Sequence, residues 1–84
     1  MVVLTENARA LLRAISVVAN DDGFYKQGLC RSASGLSRSE HDSAQAELNQ
    51  LDVTCGPDPW HLQRDGWQAI RELRQAERAE RAEG

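Results

Sequence analysis

The stretch SGLSRSEHDSAQAELNQLDVTCGPDPWHLQRDGW, residues 34–67, decides how this chain folds, because a capped helix and a hairpin follow each other in it. Ser37 is a good helix N-cap, and Glu40 three residues later completes a capping-box pattern. The pattern predicts a helix from Ser37 to about Leu51. Its inward face carries His41, Ala44, Gln45, Leu48 and Leu51, and its opposite face is polar.

Two short runs with strand character come next, on either side of Gly56-Pro57-Asp58-Pro59. Four turn-forming residues in a row predict the loop of a β-hairpin. With that loop, Cys55 pairs with Trp60, Thr54 with His61 and Val53 with Leu62. Alternation along the strands then places Val53, Cys55, Trp60 and Leu62 on the core side, with Thr54 and His61 pointing away from it.

Two helices are predicted before this stretch. The first runs from Thr5, which suits an N-cap, to about Asn20, and apolar residues recur along it at three- and four-residue steps. A helix of about two turns lies within residues 24–34. Its inward residues are expected to be Phe24, Tyr25, Leu29 and Cys30.

One helix is predicted after the hairpin, from Trp67 to about Ala82, with Gly66 just before it. Its packing stripe is Trp67, Ile70 and Leu73, and we expect both tryptophans to close the core against the first helix. Beyond Leu73 there is no large apolar residue. The tail is either a solvated or fraying helix, or a dimer seam built on alanines.

Length and composition predict one small globular domain covering residues 1–84, with its core in 5–73 and a charged helical tail in 74–84. Hydrophobic residues make up 40% and charged residues 27%, as in ordinary soluble proteins. We see neither a membrane span nor a signal peptide, so a cytoplasmic protein without a membrane partner is expected. So small a core disfavours a deep substrate cleft, and we expect no enzyme.

The order of elements resembles the winged helix-turn-helix superfamily, as in transcription regulators of the MarR, ArsR and PadR kinds. Residues 35–41 resemble the turn and start of the recognition helix. Residues 48–53 resemble its exit, where Asp52 stands in place of the usual glycine, and residues 60–70 resemble the second wing strand and closing helix. The resemblance implies an α+β fold with a three-helix core, a two-stranded wing and a C-terminal helix.

The same resemblance implies a homodimeric regulator that binds double-stranded DNA, with the helix 37–51 in the major groove. Base contacts would come from Arg38, Ser39, Ser43 and Asn49. Phosphate contacts would come from Lys26, Arg31 and Arg64.

An alternative follows from charge. The net charge is −3, and the wing-tip residues Gly56-Pro57-Asp58-Pro59 include no base. Acidic winged helices are suited to docking proteins, and fold alone does not fix function. The alternative is therefore an interaction module without DNA binding, for example a phage or plasmid accessory protein that blocks a nucleic-acid-binding partner.

Metal binding and catalysis are the remaining classes. Cys30, His41, Cys55 and His61 have the residue types of a zinc site but no closely spaced pair, so we expect two core thiols and two partly exposed histidines. His41 has carboxylates and serines nearby in sequence, but neighbours along a helix do not face each other. We expect no metal, no cofactor and no catalytic residue.

Overall fold

The computed structural model describes residues 4–56 and 60–83, and within them the chain is an α+β fold with four helices and a two-stranded antiparallel hairpin. The helices are α1 Glu6–Val18, α2 Gln27–Ser34, α3 Arg38–Gln50 and α4 Arg64–Glu83, and the strands are β1 Thr54–Cys55 and β2 His61–Leu62. The predicted loop tip, 57–59, lies outside the described residues.

Helix α1 forms the centre of the core, with α2, α3 and α4 all packed against it. Its N-cap is Thr5, as predicted, whose hydroxyl accepts a hydrogen bond from the backbone N–H of Ala8 at 3.2 Å. Leu11, Leu12 and Ile15 are fully buried. Burial of three such side chains contributes about 1.5–3 kcal/mol each, so this stripe provides much of the stability of a small domain.

A short extended segment, residues 23–25, pairs with the free side of strand β2. The sequence pattern does not predict this pairing. Phe24 forms an antiparallel bridge with His61. The backbone N–H of Leu62 donates to the carbonyl of Gly23 at 2.9 Å, and that of Tyr25 donates to the carbonyl of Trp60 at 3.1 Å. Strand β2 is therefore paired on both sides, which fixes the hairpin to the segment between α1 and α2.

The expectation that Phe24 and Leu29 face inward is wrong, since they are 43% and 55% exposed. Tyr25 and Cys30 are buried, as predicted. Alternation along the extended segment explains Phe24, because the backbone that turns Tyr25 inward turns its neighbour outward. Leu29 precedes Cys30 on α2, and one helical step rotates a side chain by about 100°.

The predicted hairpin register is wrong by one residue. Thr54 pairs with Leu62, and Cys55 pairs with His61, so the connection is residues 56–60 rather than 56–59. A shift of the register by one residue moves each side chain of one strand to the opposite face of the hairpin. Thr54 is consequently buried at 1% exposure, and Cys55, expected in the core, is exposed. The hydroxyl of Thr54 has polar partners inside, described below, which make its burial favourable.

Helix α3 is followed by Asp52, which stands where the resemblance has a glycine and adopts a left-handed conformation with φ of 59°. An aspartate tolerates this region better than most residues. The turn is closed by the backbone N–H of Val53, which donates to the carbonyl of Leu48 at 3.0 Å. Leu51, expected on the inward face, is 37% exposed because it lies beyond the last residue of the helix.

Helix α4 begins at Arg64, three residues earlier than predicted. Gly66 therefore lies inside its first turn, where a Cβ atom would stand 2.2 Å from the carbonyl oxygen of Val53 and 2.9 Å from Cδ2 of Leu62. Only glycine allows the helix to approach the hairpin so closely. Trp67, expected to pack in the core, remains 38% exposed.

The end of α4 is joined to α1 by ion pairs. Nε of Arg13 lies 2.7 Å from Oε1 of Glu77, and Nη2 of Arg9 lies 3.6 Å from Oε1 of Glu80. Residues beyond Leu73 are therefore attached to the domain through charge rather than through apolar burial. The alanine dimer seam stays a prediction.

No helix in the described ranges has both the length and the apolar content needed to cross a bilayer. The longest, α4, has charged side chains at half of its positions.

Candidate nucleic-acid interface

The polar side of α3 is open to solvent along the first half of the helix. Arg38, Ser39 and Ser43 are all exposed. Within residues 4–56 and 60–81, the ion pairs of arginine involve Arg9 and Arg13. The guanidinium of Arg38 therefore has no carboxylate partner in this part of the chain, which leaves its donors available to a ligand.

The first turn of α3 is fixed by the predicted capping box. The hydroxyl of Ser37 accepts from the backbone N–H of Glu40 at 3.3 Å, and the backbone N–H of Ser37 donates to Oε1 of Glu40 at 3.0 Å. These hydrogen bonds from Ser37 lower the pKa of Glu40. The open residues Arg38 and Ser39 are thus held on an ordered turn.

Two acidic residues of α3 lie on the flank away from Arg38. Glu40 and Glu47 are about 160° and 180° from Arg38 around the helix axis, since each residue advances the helix by about 100°. Glu47 accepts hydrogen bonds from the backbone N–H and hydroxyl of Thr5. Glu40 and Asp42 are both exposed, so the open side of α3 carries two carboxylates beside the single guanidinium of Arg38.

Asn49, the fourth predicted base contact, is placed differently from the other three. It is half-buried, and its Oδ1 accepts from Nε2 of Gln45 at 3.3 Å and from the hydroxyl of Thr54. It lies eleven positions after Arg38, which corresponds to about 16 Å along the axis. The structure therefore exposes Arg38, Ser39 and Ser43 on the first half of α3, and directs the side-chain oxygen of Asn49 toward the hairpin.

Asn49 belongs to a buried polar network that joins α3, β1 and the segment before α2. Nε2 of Gln45 donates to the hydroxyl of Thr54 at 3.0 Å, and the hydroxyl of Tyr25 donates to Oε1 of Gln45 at 3.3 Å. Burial raises the pKa of Tyr25 to about 12, although its hydrogen bonds with Gln45 and Thr54 act in the opposite direction. Sequence patterning missed this network; the only signal was a glutamine on the inward face of a predicted helix.

The three predicted phosphate contacts are exposed, but they come from different elements. Lys26 is the residue before α2, Arg31 lies in its last turn, and Arg64 is the first residue of α4. None of the three takes part in an ion pair within the described ranges. All three cations are therefore available for phosphate oxygens.

The four possible zinc ligands are divided between core and surface. Cys30 is buried, as expected, and burial raises the pKa of its thiol to about 11. Cys55, expected in the core, is exposed, and His41, expected to be partly exposed, is buried at 2%. No cluster of three metal-ligating side chains occurs among residues 4–56 and 60–81.

His41 occupies the inward face of α3 beside Ala44 and Leu48. Its Nδ1 lies 3.2 Å from Oδ1 of Asp42, and its Nε2 has no hydrogen-bond partner in the described part of the chain. The exposed serines of α3 cannot form a triad with an imidazole that is enclosed in the core.

An open cleft of about 280 Å³ lies between α1 and α4 and is lined by Glu6, Arg9, Arg13 and Glu80. Both of its arginines take part in the ion pairs described above. Ligand pockets are usually concave and mostly apolar, so this cleft has little of the character of a small-molecule site.

Comparison of the chain with protein-family models, with curated proteins and with solved structures gives no match.

Proposed function

We propose that this protein is a winged-helix domain that binds duplex DNA, with α3 in the major groove and the hairpin as the wing. The observation that carries the proposal is the open first half of α3, where Arg38, Ser39 and Ser43 are exposed on a capped turn. The fold supports it through the succession of α2, α3 and hairpin, and through the extended segment 23–25 that pairs with β2.

The side chains on that face have the chemistry of base recognition. Arg38 can donate two hydrogen bonds to the O6 and N7 of a guanine, and Ser39 and Ser43 can exchange hydrogen bonds with either type of base pair. Asn49 remains a predicted contact, limited to its amide nitrogen because its oxygen accepts inside the fold. Lys26, Arg31 and Arg64 would bind phosphates and set the register.

A homodimer is part of the proposal. The four cations of the candidate interface neutralise few phosphates, and each neutralised phosphate contributes a slope of about −0.9 to the dependence of log K on log salt. Two copies double the number of contacts and place two α3 helices on half-sites about one helical turn apart.

A salt titration of binding to random duplex DNA tests the proposal. We expect an association constant that falls steeply as salt rises.

Arg38→Glu should weaken binding about tenfold or more, with the melting temperature unchanged because the side chain is exposed. Arg74→Glu, an equal charge reversal at an exposed position of α4, is the matched control and should have little effect. Absence of binding at low salt would refute the proposal, and equal effects of both variants would refute the site.

A second candidate is a winged helix that docks a protein. It is favoured by the net charge of −3 and by two exposed apolar side chains, Val17 at 79% and Leu29 at 55%. Leu29 lies on α2, the helix before α3. This function predicts no DNA association at any salt concentration, and loss of partner capture in Leu29→Ser but not in Arg38→Glu.

A further inference from the structure

The outer face of the hairpin carries a thiol and an imidazole directly opposite each other. Cys55 and His61 are Cα partners in the antiparallel register. Directly opposed side chains share a face, with Cβ atoms about 4.5–5.5 Å apart. Cys55 is exposed and His61 is half-buried. In the register predicted from sequence these residues were not opposed, so the pair arises from the one-residue shift.

The imidazole of His61 is arranged as a metal ligand would be. Its Nδ1 lies 3.3 Å from the carbonyl oxygen of Leu62. A carbonyl can only accept, so Nδ1 carries the proton in this contact, and in the neutral ring Nε2 keeps its lone pair. Metal-binding histidines are commonly oriented by such a contact from the other ring nitrogen to a backbone carbonyl.

The ring of His61 is further restrained by Phe24. The two ring centroids are 5.6 Å apart at an interplanar angle of 56°. Phe24 is the antiparallel bridge partner of His61 on the side away from Cys55. The contact with the Phe24 ring restrains the imidazole, which reduces the entropy lost when a metal fixes it.

We propose that Cys55 and His61 bind Zn²⁺ between two copies of this chain. One chain supplies one sulfur and one nitrogen, and zinc takes four such ligands in a tetrahedron. The described residues offer no group of three ligands, and a second copy supplies the two further ligands of a two-thiolate, two-imidazole site. Each Cys55 thiol releases a proton to solvent on binding, and the two thiolates neutralise the charge of the ion.

Titration of the full chain with zinc chloride tests the site, in a reducing buffer that prevents a Cys55–Cys55 disulfide. We expect one zinc bound per two chains, in a zinc-loaded species whose molar mass by light scattering is that of a dimer. No DNA is present, so the outcome is independent of the proposed DNA binding. Absence of bound zinc at about 50 µM protein would overturn the proposal, and so would one zinc per monomeric chain.

Variants at exposed positions separate the site from general zinc binding. Cys55→Ser and His61→Asn should each weaken zinc binding by more than about 100-fold, since even outer-shell partners of a metal contribute about 10- to 100-fold. Circular dichroism checks that both variants fold. Cys30→Ala removes the other thiol, which is buried, and should keep both stoichiometry and dimer. Zinc binding that survives in Cys55→Ser, or is lost in folded Cys30→Ala, would place the metal elsewhere.

Discussion

Thr5 and Glu47, forty-two positions apart, are joined by two hydrogen bonds: the backbone N–H of Thr5 donates to Oε2 of Glu47 at 3.0 Å, and its hydroxyl donates to Oε1 at 2.8 Å. The same hydroxyl accepts from Ala8 as the N-cap of α1. A carboxylate near a helix N-terminus is also favoured by the helix dipole. The acidic residue on the candidate recognition helix thus has a structural role at the start of α1.

The first prediction is that Glu47→Ala lowers the free energy of unfolding by about 1 kcal/mol, the usual size of a capping contribution. Glu47→Gln keeps one acceptor oxygen and should cost less. Urea denaturation followed by tryptophan fluorescence measures both. If Glu47→Ala is as stable as the parent protein, the contact between α3 and the start of α1 contributes nothing.

Gly66 gives a second prediction. Gly66→Ala should cost about 1–3 kcal/mol or more, as overpacking does, because the added Cβ would collide with the backbone oxygen of Val53. Gly28→Ala is the matched control, since a Cβ there meets nothing within 4 Å and the residue lies on a helix. It should raise stability by up to about 1 kcal/mol. Thermal melts that rank the two variants in the opposite order would contradict the close approach of α4 to the hairpin.

The buried network gives a third prediction. Thr54→Val keeps the shape of the side chain and removes the hydroxyl that accepts from Gln45 and donates to Asn49. Loss of one partner in a buried site costs about 1–3 kcal/mol. In a double-mutant cycle with Gln45→Leu, the two costs should differ from additivity by about 0.5–3 kcal/mol. Strict additivity would show that the two side chains do not act together.

The helices could be predicted from sequence because their signals are local. The capping box at Ser37 and the N-cap at Thr5 each depend on a few neighbouring residues, and both are present. The hairpin register could not be predicted, because it depends on Gln45 and Asn49, which offer polar partners to Thr54. The alternation of polar and apolar residues alone assigns Thr54 to the outer face, because the pattern takes no account of hydrogen-bond partners on another element.

The candidate site was predictable to the same extent. Exposure of Arg38, Ser39 and Ser43 follows from helical periodicity, which is local. The internal use of Asn49 depends on tertiary contacts, as does the opposition of Cys55 and His61. Long-range pairings of this kind leave no periodic signal in a single sequence.

The ion pairs between α1 and α4 give a fourth prediction. Glu77→Gln should destabilise the protein by at most about 1 kcal/mol, the usual limit for solvent-accessible pairs. It should also speed amide hydrogen exchange in the second half of α4, which has no large apolar anchor beyond Leu73. High salt should produce the same local increase in the parent protein by screening. Arg74→Gln is the control, and exchange that is unaffected by Glu77→Gln would show that the ion pairs do not hold the helix.

The fifth prediction concerns alkaline pH. The pKa of Tyr25 is raised from 10.0 to about 12 by burial, so the folded state binds this proton more tightly than the unfolded state does. Its contribution to stability is complete below pH 10 and is lost as pH rises through 12, by about 2–3 kcal/mol in total. Cys30, with its pKa raised to about 11, adds a loss of the same sign at somewhat lower pH. The chain has one tyrosine, so tyrosinate absorbance reports its titration directly. In urea melts at different pH, Tyr25→Phe should lose the decrease in stability that Tyr25 causes between pH 10 and 12, and should keep the decrease that Cys30 causes. An unshifted pKa of Tyr25 in the folded protein would contradict its burial beside Gln45.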